Sequence, residues 1–430
     1  MSSNSGIDRR QFLTGTAGAV LMAMLGAEEV RAQNAAPQGA AAPALPDGPP
    51  IRCAMIGLGV HGRALLQALA STPGAPVVAL CDDYAAAHKR GLDIFPRATA
   101  VTDYRKVLDN KDVDAVFIAT PSHLHRQIAV DAVAAGKHVY CEAPLAHTID
   151  DARAIALAGK NSKKVFQGGL LHRADPISVQ VMKFVDSDAL GKIVQARAQW
   201  HKRTSWRRTA PNQERERALN WRLRKPTSPG LLGEYGIHSM DIVSWYLGAL
   251  PVSVTGMGSI LAWSDGRDVP DTVQSVIEYP GGVRMSYDAT LANSFDGSYE
   301  LFQGTESAVY MKEGRAWMIK EADATALGWE VYARKEKVGD EVGIALIADA
   351  TKQLELNLKP GESAAPAPLS EQTMVANLVM GFLKTIREDE DAAGAGPEEA
   401  YHATVVALKA NEAANTGTKI TFQKEWFDLA

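Results

Sequence analysis

The chain has 430 residues, of which 46% are hydrophobic and 22% charged, with a net charge of −5. That is enough for two domains, or one large domain with an appendage, and too apolar for a disordered chain. With no basic block to offset the acidic balance, nucleic acid is excluded as an expected partner.

The N-terminus carries the features of a targeting segment. Arg9-Arg10 precede Phe12-Leu13 and a modestly apolar stretch that runs to Ala27, and Val30-Arg31-Ala32 offers small residues for cleavage. The segment resembles a twin-arginine export signal covering residues 1–32, which implies a folded, cofactor-loaded cargo and a periplasmic or other extracytoplasmic destination. The stretch is too short, and too rich in Gly, Thr and Ala, for a stable membrane span once the signal is removed. Residues 33–50 are Ala/Pro-rich and read as a linker. Cys53, Cys81 and Cys141 each lie in a short apolar run, form no CxxC pair and read as small buried hydrophobes.

From Ile51 the pattern is regular. IRCAMI predicts a buried strand, GLGVHG follows with Gly57, Gly59 and Gly62 in GxGxxG spacing, and RALLQALAST predicts a helix closed by Pro73-Gly74. PVVALCDD predicts the next strand, and Asp82 lies 20 residues beyond Gly62. Strand, glycine turn, helix, strand and acid in this register form a dinucleotide site. Leu58, Val60 and His61 fill the turn between the glycines, and the helix N-terminus offers free N–H groups to a pyrophosphate. A carboxylate at Asp82 accepts ribose hydroxyls and repels a 2′-phosphate, which favours NAD over NADP; Lys89 and Arg90 are the residues that would serve NADP instead.

Strands and helices keep alternating to about residue 172, predicting a parallel sheet with right-handed crossovers. Three further strand ends bear candidate site residues: Thr120-Pro121-Ser122 with His123 and His125, Glu142-Ala143 before Pro144, and His172-Arg173. Ligands of open α/β sheets bind at such ends. His123 and His125 have metal-like spacing, but no nearby acid or cysteine completes a set, so no metal is expected. Beyond residue 173 the pattern changes. GKIVQARAQWHKR predicts a long strand, DTVQSVIEYP and VRMSYDATL a hairpin around Gly281-Gly282, and SYELFQGTESAVYM a second pair around Gly304. EQTMVANLVMGFLKTIRED and PEEAYHATVVALKANEAANTG have helical spacing, the second closed by Gly417. The expected fold class is therefore α/β: a Rossmann domain over 51–172, then an α/β domain over 173–430.

GLGVHG, ATPSHLH, the CEAP turn and GLLGEYGIHSMD together resemble the glucose–fructose oxidoreductase/inositol dehydrogenase superfamily. The resemblance implies an N-terminal Rossmann domain, a C-terminal domain with a large, mostly antiparallel open sheet, NAD(P)-dependent chemistry on a sugar, polyol or related hydroxyl, and a homo-oligomer. It places Thr120, Pro121, Ser122, His125, Glu142 and Ala143 beside the nicotinamide.

Two departures stand out. Most of the superfamily has Glu-Lys-Pro where this chain has Glu142-Ala143-Pro144, and a methyl group cannot do an ammonium's work in proton transfer. The usual Asp-x-x-x-His reads Glu234-x-x-x-His238 here. A spacing of four puts both on one face if the helix has begun. His238 is then the expected base, with Glu234 orienting it and Tyr235 as an alternative acid or base. Some superfamily members that cleave glycosides also lack the lysine and use a tyrosine and a histidine around a cofactor that is reduced and reoxidised within one turnover. Upstream, Trp206, Trp221 and Arg222, with His172 and Arg173, are candidate contacts to a carbohydrate; Lys202, Arg173 or His172 is a candidate to replace the lysine. The leading expectation is an exported oxidoreductase. Its alternatives are a redox-assisted glycoside hydrolase or lyase with recycled NAD, and a non-catalytic cofactor-binding partner subunit.

Overall fold

The structure is a computed structural model that describes residues 45–326, 330, 333–346, 371–388 and 395–429. The expected export signal, 1–32, and the expected linker as far as residue 44 lie outside the described residues.

Six strands build the first sheet: β1 (Cys53–Ile56), β2 (Val77–Cys81), β3 (Thr99–Val101), β4 (Ala115–Ile118), β5 (His138–Glu142) and β6 (Phe166–Gly169). All its pairings are parallel, in the order β3-β2-β1-β4-β5-β6. β1 and β4 are buried throughout, as expected of strands with helices on both faces. The crossovers are α1 (Val60–Ala70), α2 (Ala85–Leu92), the single turn α3 (Arg105–Leu108), α4 (His125–Ala134) and α5 (Ile149–Lys160). Thr148 caps α5 by accepting the Asp151 N–H. The order reverses beside β1, so the carboxyl ends of β1 and β4 flank a crevice.

After α6 (Pro176–Asp186), β7 (Ile193–His201), α7 (Gln213–Leu219) and α8 (Ile237–Leu247), the chain forms β8 (Ser253–Ser259), β9 (Thr272–Glu278), β10 (Arg284–Thr290), β11 (Ser298–Gly304), β12 (Ser307–Lys312), β13 (Arg315–Lys320), β14 (Lys335–Val338) and β15 (Glu341–Leu346). These strands, with β7 and β16 (Ile420–Thr421), make one ten-stranded sheet, antiparallel except where β7 pairs with β10. Both expected hairpins are present: Glu278 faces Arg284 across Gly281-Gly282, and Gln303 faces Ala308 across the turn after Gly304.

Two helices close the chain, α9 (Glu371–Glu388) and α10 (Pro397–Thr416), the latter ending on Gly417 in the left-handed conformation. α10 lies on the junction, against α5, α8 and β8. α9 does not stay with the second sheet. Val375, Leu378, Val379, Phe382 and Leu383 are buried with Met55, Leu65, Leu66, Phe117 and Tyr140 of the first. The expected division at residue 172 is therefore crossed by the chain, which returns to cover the first sheet. No helix among the described residues is long and apolar enough to cross a membrane.

Candidate active site

The nucleotide turn is shaped by steric necessity. Gly57 has φ +100°, and a Cβ there would lie 2.6 Å from the Ala119 carbonyl oxygen. A Cβ on Gly62 would lie 2.0 Å from the Gly57 oxygen, so this glycine lets α1 pack against the turn. Gly59 differs: a Cβ there would meet nothing within 4 Å. The turn opens onto space at Gly59, which is also the N-cap of α1 and gives that helix no side-chain cap. The first-turn N–H groups thus face an open cradle of the kind a pyrophosphate fills, and NAD fits the residues present. Asp82 holds this shape, accepting the Leu58 N–H at 2.8 Å and the Tyr84 N–H at 2.9 Å. Val60 is half exposed at the mouth, and Arg63, beside Asp82, has Arg90 and Arg208 within electrostatic reach.

The next two strand ends are tied together. His125 is buried, with Nε2 2.8 Å from the Thr120 oxygen and Nδ1 3.2 Å from the carbonyls of Pro144 and Leu145. Its ring thus joins the Thr120-Pro121 turn to the turn after Ala143, and both nitrogens are engaged by backbone rather than turned toward a cofactor. That corrects the expectation for His125. Glu142 ends β5 with Oε1 2.8 Å from His61 Nε2 and 2.8 Å from the Tyr140 hydroxyl. Burial raises its carboxyl, but His61, Tyr140 and His238 outweigh burial and hold it below the usual carboxylate range. Ala143 precedes a cis peptide to Pro144 and leaves a methyl beside this cluster.

The second domain supplies the opposite wall. Residues Leu232–Gly236 form a π-helical turn, and α8 begins only at Ile237. The wider turn breaks the expected helical register. Glu234 makes no hydrogen bond to His238 among the described residues: it accepts Ser122 Oγ at 3.3 Å, Ser228 Oγ at 3.2 Å and Arg222 Nε at 3.0 Å. It clamps the two domains and orients Arg222 rather than His238. Tyr235 is stacked between two tryptophans, its ring centroid 3.9 Å from Trp200 and 5.8 Å from Trp206. Trp206 has φ +59°, and its buried Nε1 has no hydrogen-bond partner. Trp221 lies beside His123 and beneath the Arg222 guanidinium.

His238 accepts the Leu171 N–H on Nδ1 at 3.4 Å. Burial, with help from the neighbouring His172, pushes its pKa down to about 3. At neutral pH the ring is uncharged and carries its proton on Nε2. In that state His238 can donate a hydrogen bond from Nε2, in addition to the base role expected of it. His172 lies beside it, with Nε2 3.4 Å from Glu300 Oε1 and Nδ1 3.3 Å from Ser178 Oγ. Burial lowers the His172 pKa, but Glu300, Asp175 and Asp241 outweigh burial and raise it. Arg173 is not brought to this cluster. It forms a two-pronged pair with Asp241 at 2.8 and 2.9 Å and lies over Trp245, lining a separate cleft with Glu399 and His402. Sequence reading missed Glu300, which also accepts Ser239 Oγ at 2.9 Å, and Ser228.

A dinucleotide cradle at a topological switch point, with titratable groups gathered where a nicotinamide would end, defines an NAD(P)-binding Rossmann protein with a second-domain wall. Residues 51–169 match the oxidoreductase family described as having an NAD-binding Rossmann fold, and residues 178–314 match the GFO/IDH/MocA C-terminal domain. The chain belongs to this oxidoreductase family, and its cofactor is NAD. It is 28% identical over 233 residues to a levoglucosan dehydrogenase of Pseudarthrobacter phenanthrenivorans, covering 49% of this chain and 58% of the relative. It is 27% identical over 206 residues to a 2,7-anhydro-N-acetylneuraminate hydratase of Escherichia coli, covering 47% and 52%. The chain thus spans little more than half the length of these relatives. A solved levoglucosan dehydrogenase in complex with NADH superposes with a TM-score of 0.70 at 21% identity, covering 86% of this chain and 98% of that one, and has the same fold.

Proposed function

We propose that the protein is an exported, NAD-dependent oxidoreductase that acts on a hydroxyl of a sugar, polyol or glycoside. The observation that carries this is that His61, two residues beyond the open cradle at Gly59, bonds Glu142, which has His238 and Arg222 within electrostatic reach, Arg222 being paired with Glu234. NAD, when bound, supplies the hydride acceptor. The chain must supply the rest: a place for the hydroxyl, an acceptor for its proton and a dry wall. His238 donates from Nε2 to the substrate oxygen. His61, paired through Nε2 with the ionised Glu142, is the residue that takes the proton, a carboxylate–imidazole pair of the kind used in general-base catalysis. Trp206, with its unpartnered N–H, and Trp221 offer ring faces and one donor to a sugar.

A second reading is favoured by Ala143. A redox-neutral cycle, in which the hydride returns to the substrate after elimination, needs no net release of reduced cofactor, and one relative is a hydratase rather than a dehydrogenase by name. The Arg9-Arg10 segment supports export by the twin-arginine route to an extracytoplasmic compartment, where such recycling would free the enzyme from a cytoplasmic NAD pool. The open sheet supports a homo-oligomer.

The test is mass spectrometry of a panel of sugars and glycosides incubated with the protein, with and without added NAD. A product two hydrogens lighter, with any aglycone still attached, supports the dehydrogenase; release of the aglycone with no net change in cofactor supports the redox-neutral cycle. No change in any member of the panel overturns both and leaves the non-catalytic subunit.

A further inference from the structure

Two carboxylates converge on this cluster, Glu142 from the first domain and Glu234 from the π-helical turn. Ionising a hydroxyl beside them adds negative charge to a site that already holds two carboxyl groups. His238 is neutral and Ala143 offers a methyl, so neither brings a positive charge to balance it. Arg222 does. Its Nε is fixed on Glu234 Oε2 at 3.0 Å, and its guanidinium carbon lies over the Trp221 ring, 4.6 Å from the centroid. Among the described residues neither of its terminal nitrogens carries a hydrogen bond. Glu142 and Tyr235 are both within its electrostatic reach, and with Glu234 they outweigh burial and keep it charged. A side chain clamped at one nitrogen, braced on a ring and open at two others has the build of a prearranged anion receiver.

We propose that Arg222 receives the substrate oxygen as its negative charge develops, its two terminal nitrogens holding that oxygen while Nε stays on Glu234. The assignment rests on the oxidoreductase reading above. In the step, the O–H bond breaks and its proton passes to His61. The C–H electron pair leaves as hydride to the nicotinamide cofactor, and the carbon–oxygen double bond forms. Arg222 neither gains nor loses an atom. Glu234 is then a positioning residue, acting through Arg222.

The test compares wild type, R222M and R222K in two assays. In the first, oxidation of the active sugar is followed as NADH appears, with NADH affinity measured separately by fluorescence. The expected result for R222M is a kcat lower by about 10²–10³, the range for loss of oxyanion donors, with NADH affinity within about threefold. R222K, which keeps the charge but offers one nitrogen where the proposed arrangement uses three, is expected to fall between R222M and wild type in kcat. In the second assay, which needs no sugar, sodium sulfite is titrated against NAD⁺-loaded protein, and its anionic adduct at the nicotinamide is read by near-ultraviolet absorbance. R222M is expected to hold the adduct at least about tenfold more weakly than wild type or R222K. An R222M kcat within threefold of wild type, or a sulfite affinity equal to wild type, overturns the assignment. If wild type forms the adduct but oxidises no sugar, the oxidoreductase reading fails by itself, and Arg222 is judged by the sulfite comparison.

Discussion

The Leu171 N–H donates to His238 Nδ1 across 3.4 Å, which leaves the proton of the neutral ring on Nε2. The site's most conspicuous histidine is thereby a donor. A glutamine can present a donor from a comparable position, whereas alanine cannot. H238Q is expected to retain kcat within about tenfold of wild type, and H238A to lose about 10². NADH formation at saturating substrate reads both; equal, near-complete loss in the two variants would assign the base role to His238.

Burial of His238 also couples stability to pH. Its folded pKa, about 3, is depressed below the ordinary imidazole value near 6.5. Above pH 6.5 the ring is neutral in both folded and unfolded chains and the shift has no effect. As pH falls from 6.5 toward 3, only the unfolded chain takes up the proton, and folding loses about 1.4 kcal/mol per pH unit from this group. Between pH 7 and pH 5, the stability of H238Q relative to wild type should therefore improve by roughly 2 kcal/mol. Urea denaturation at the two pH values measures this, and an unchanged difference would mean that His238 titrates normally.

The glycines of the nucleotide turn should separate into two classes. G59A places a methyl where the fold has room but a pyrophosphate needs it, so thermal stability should hold while NAD affinity falls at least about tenfold. G62A drives a Cβ toward the Gly57 carbonyl at 2.0 Å, so stability itself should fall, by more than about 2 kcal/mol. Melting temperature and calorimetric NAD titration, run on both variants, distinguish the two outcomes.

Trp206 keeps a buried N–H with no partner. W206F keeps an aromatic ring beside Tyr235 but removes both that donor and the five-membered half of the indole. Loss of an unsatisfied buried donor offsets part of the lost packing, so folding stability should fall by no more than about 2 kcal/mol. If the donor serves substrate, kcat/KM should fall about five- to tenfold, the value of one hydrogen bond. A fall in stability without a fall in kcat/KM would assign Trp206 to packing.

Much of this was legible in the chain itself. The glycine spacing, the acid at residue 82 and the strand ends at Thr120, Glu142 and His172 follow from periodicity and turn chemistry, and both hairpins of the second sheet were marked by their glycines. What escaped has a physical reason in each case. An α-helix and a π-helical turn have the same residue preferences, so LGEYG gave no sign that Glu234 would swing from His238 to Arg222. Arg173 was drawn off by Asp241 and His125 by three backbone carbonyls, partners set by packing rather than by neighbouring sequence. Glu300 meets His172 from a strand that alternates like its neighbours, and no local pattern sets it apart.

The return of α9 to the first sheet has a consequence for any dissection of the molecule. Residues 51–172 hold a whole nucleotide-binding motif, yet as an excised fragment they would present Phe117, Tyr140, Leu65 and Leu66 to water without the helix that carries Phe382 and Leu378. Segments far apart in the chain, 51–140 and 375–383, thus share one interior. A truncation before residue 371 therefore strips the floor from beneath the cofactor sheet.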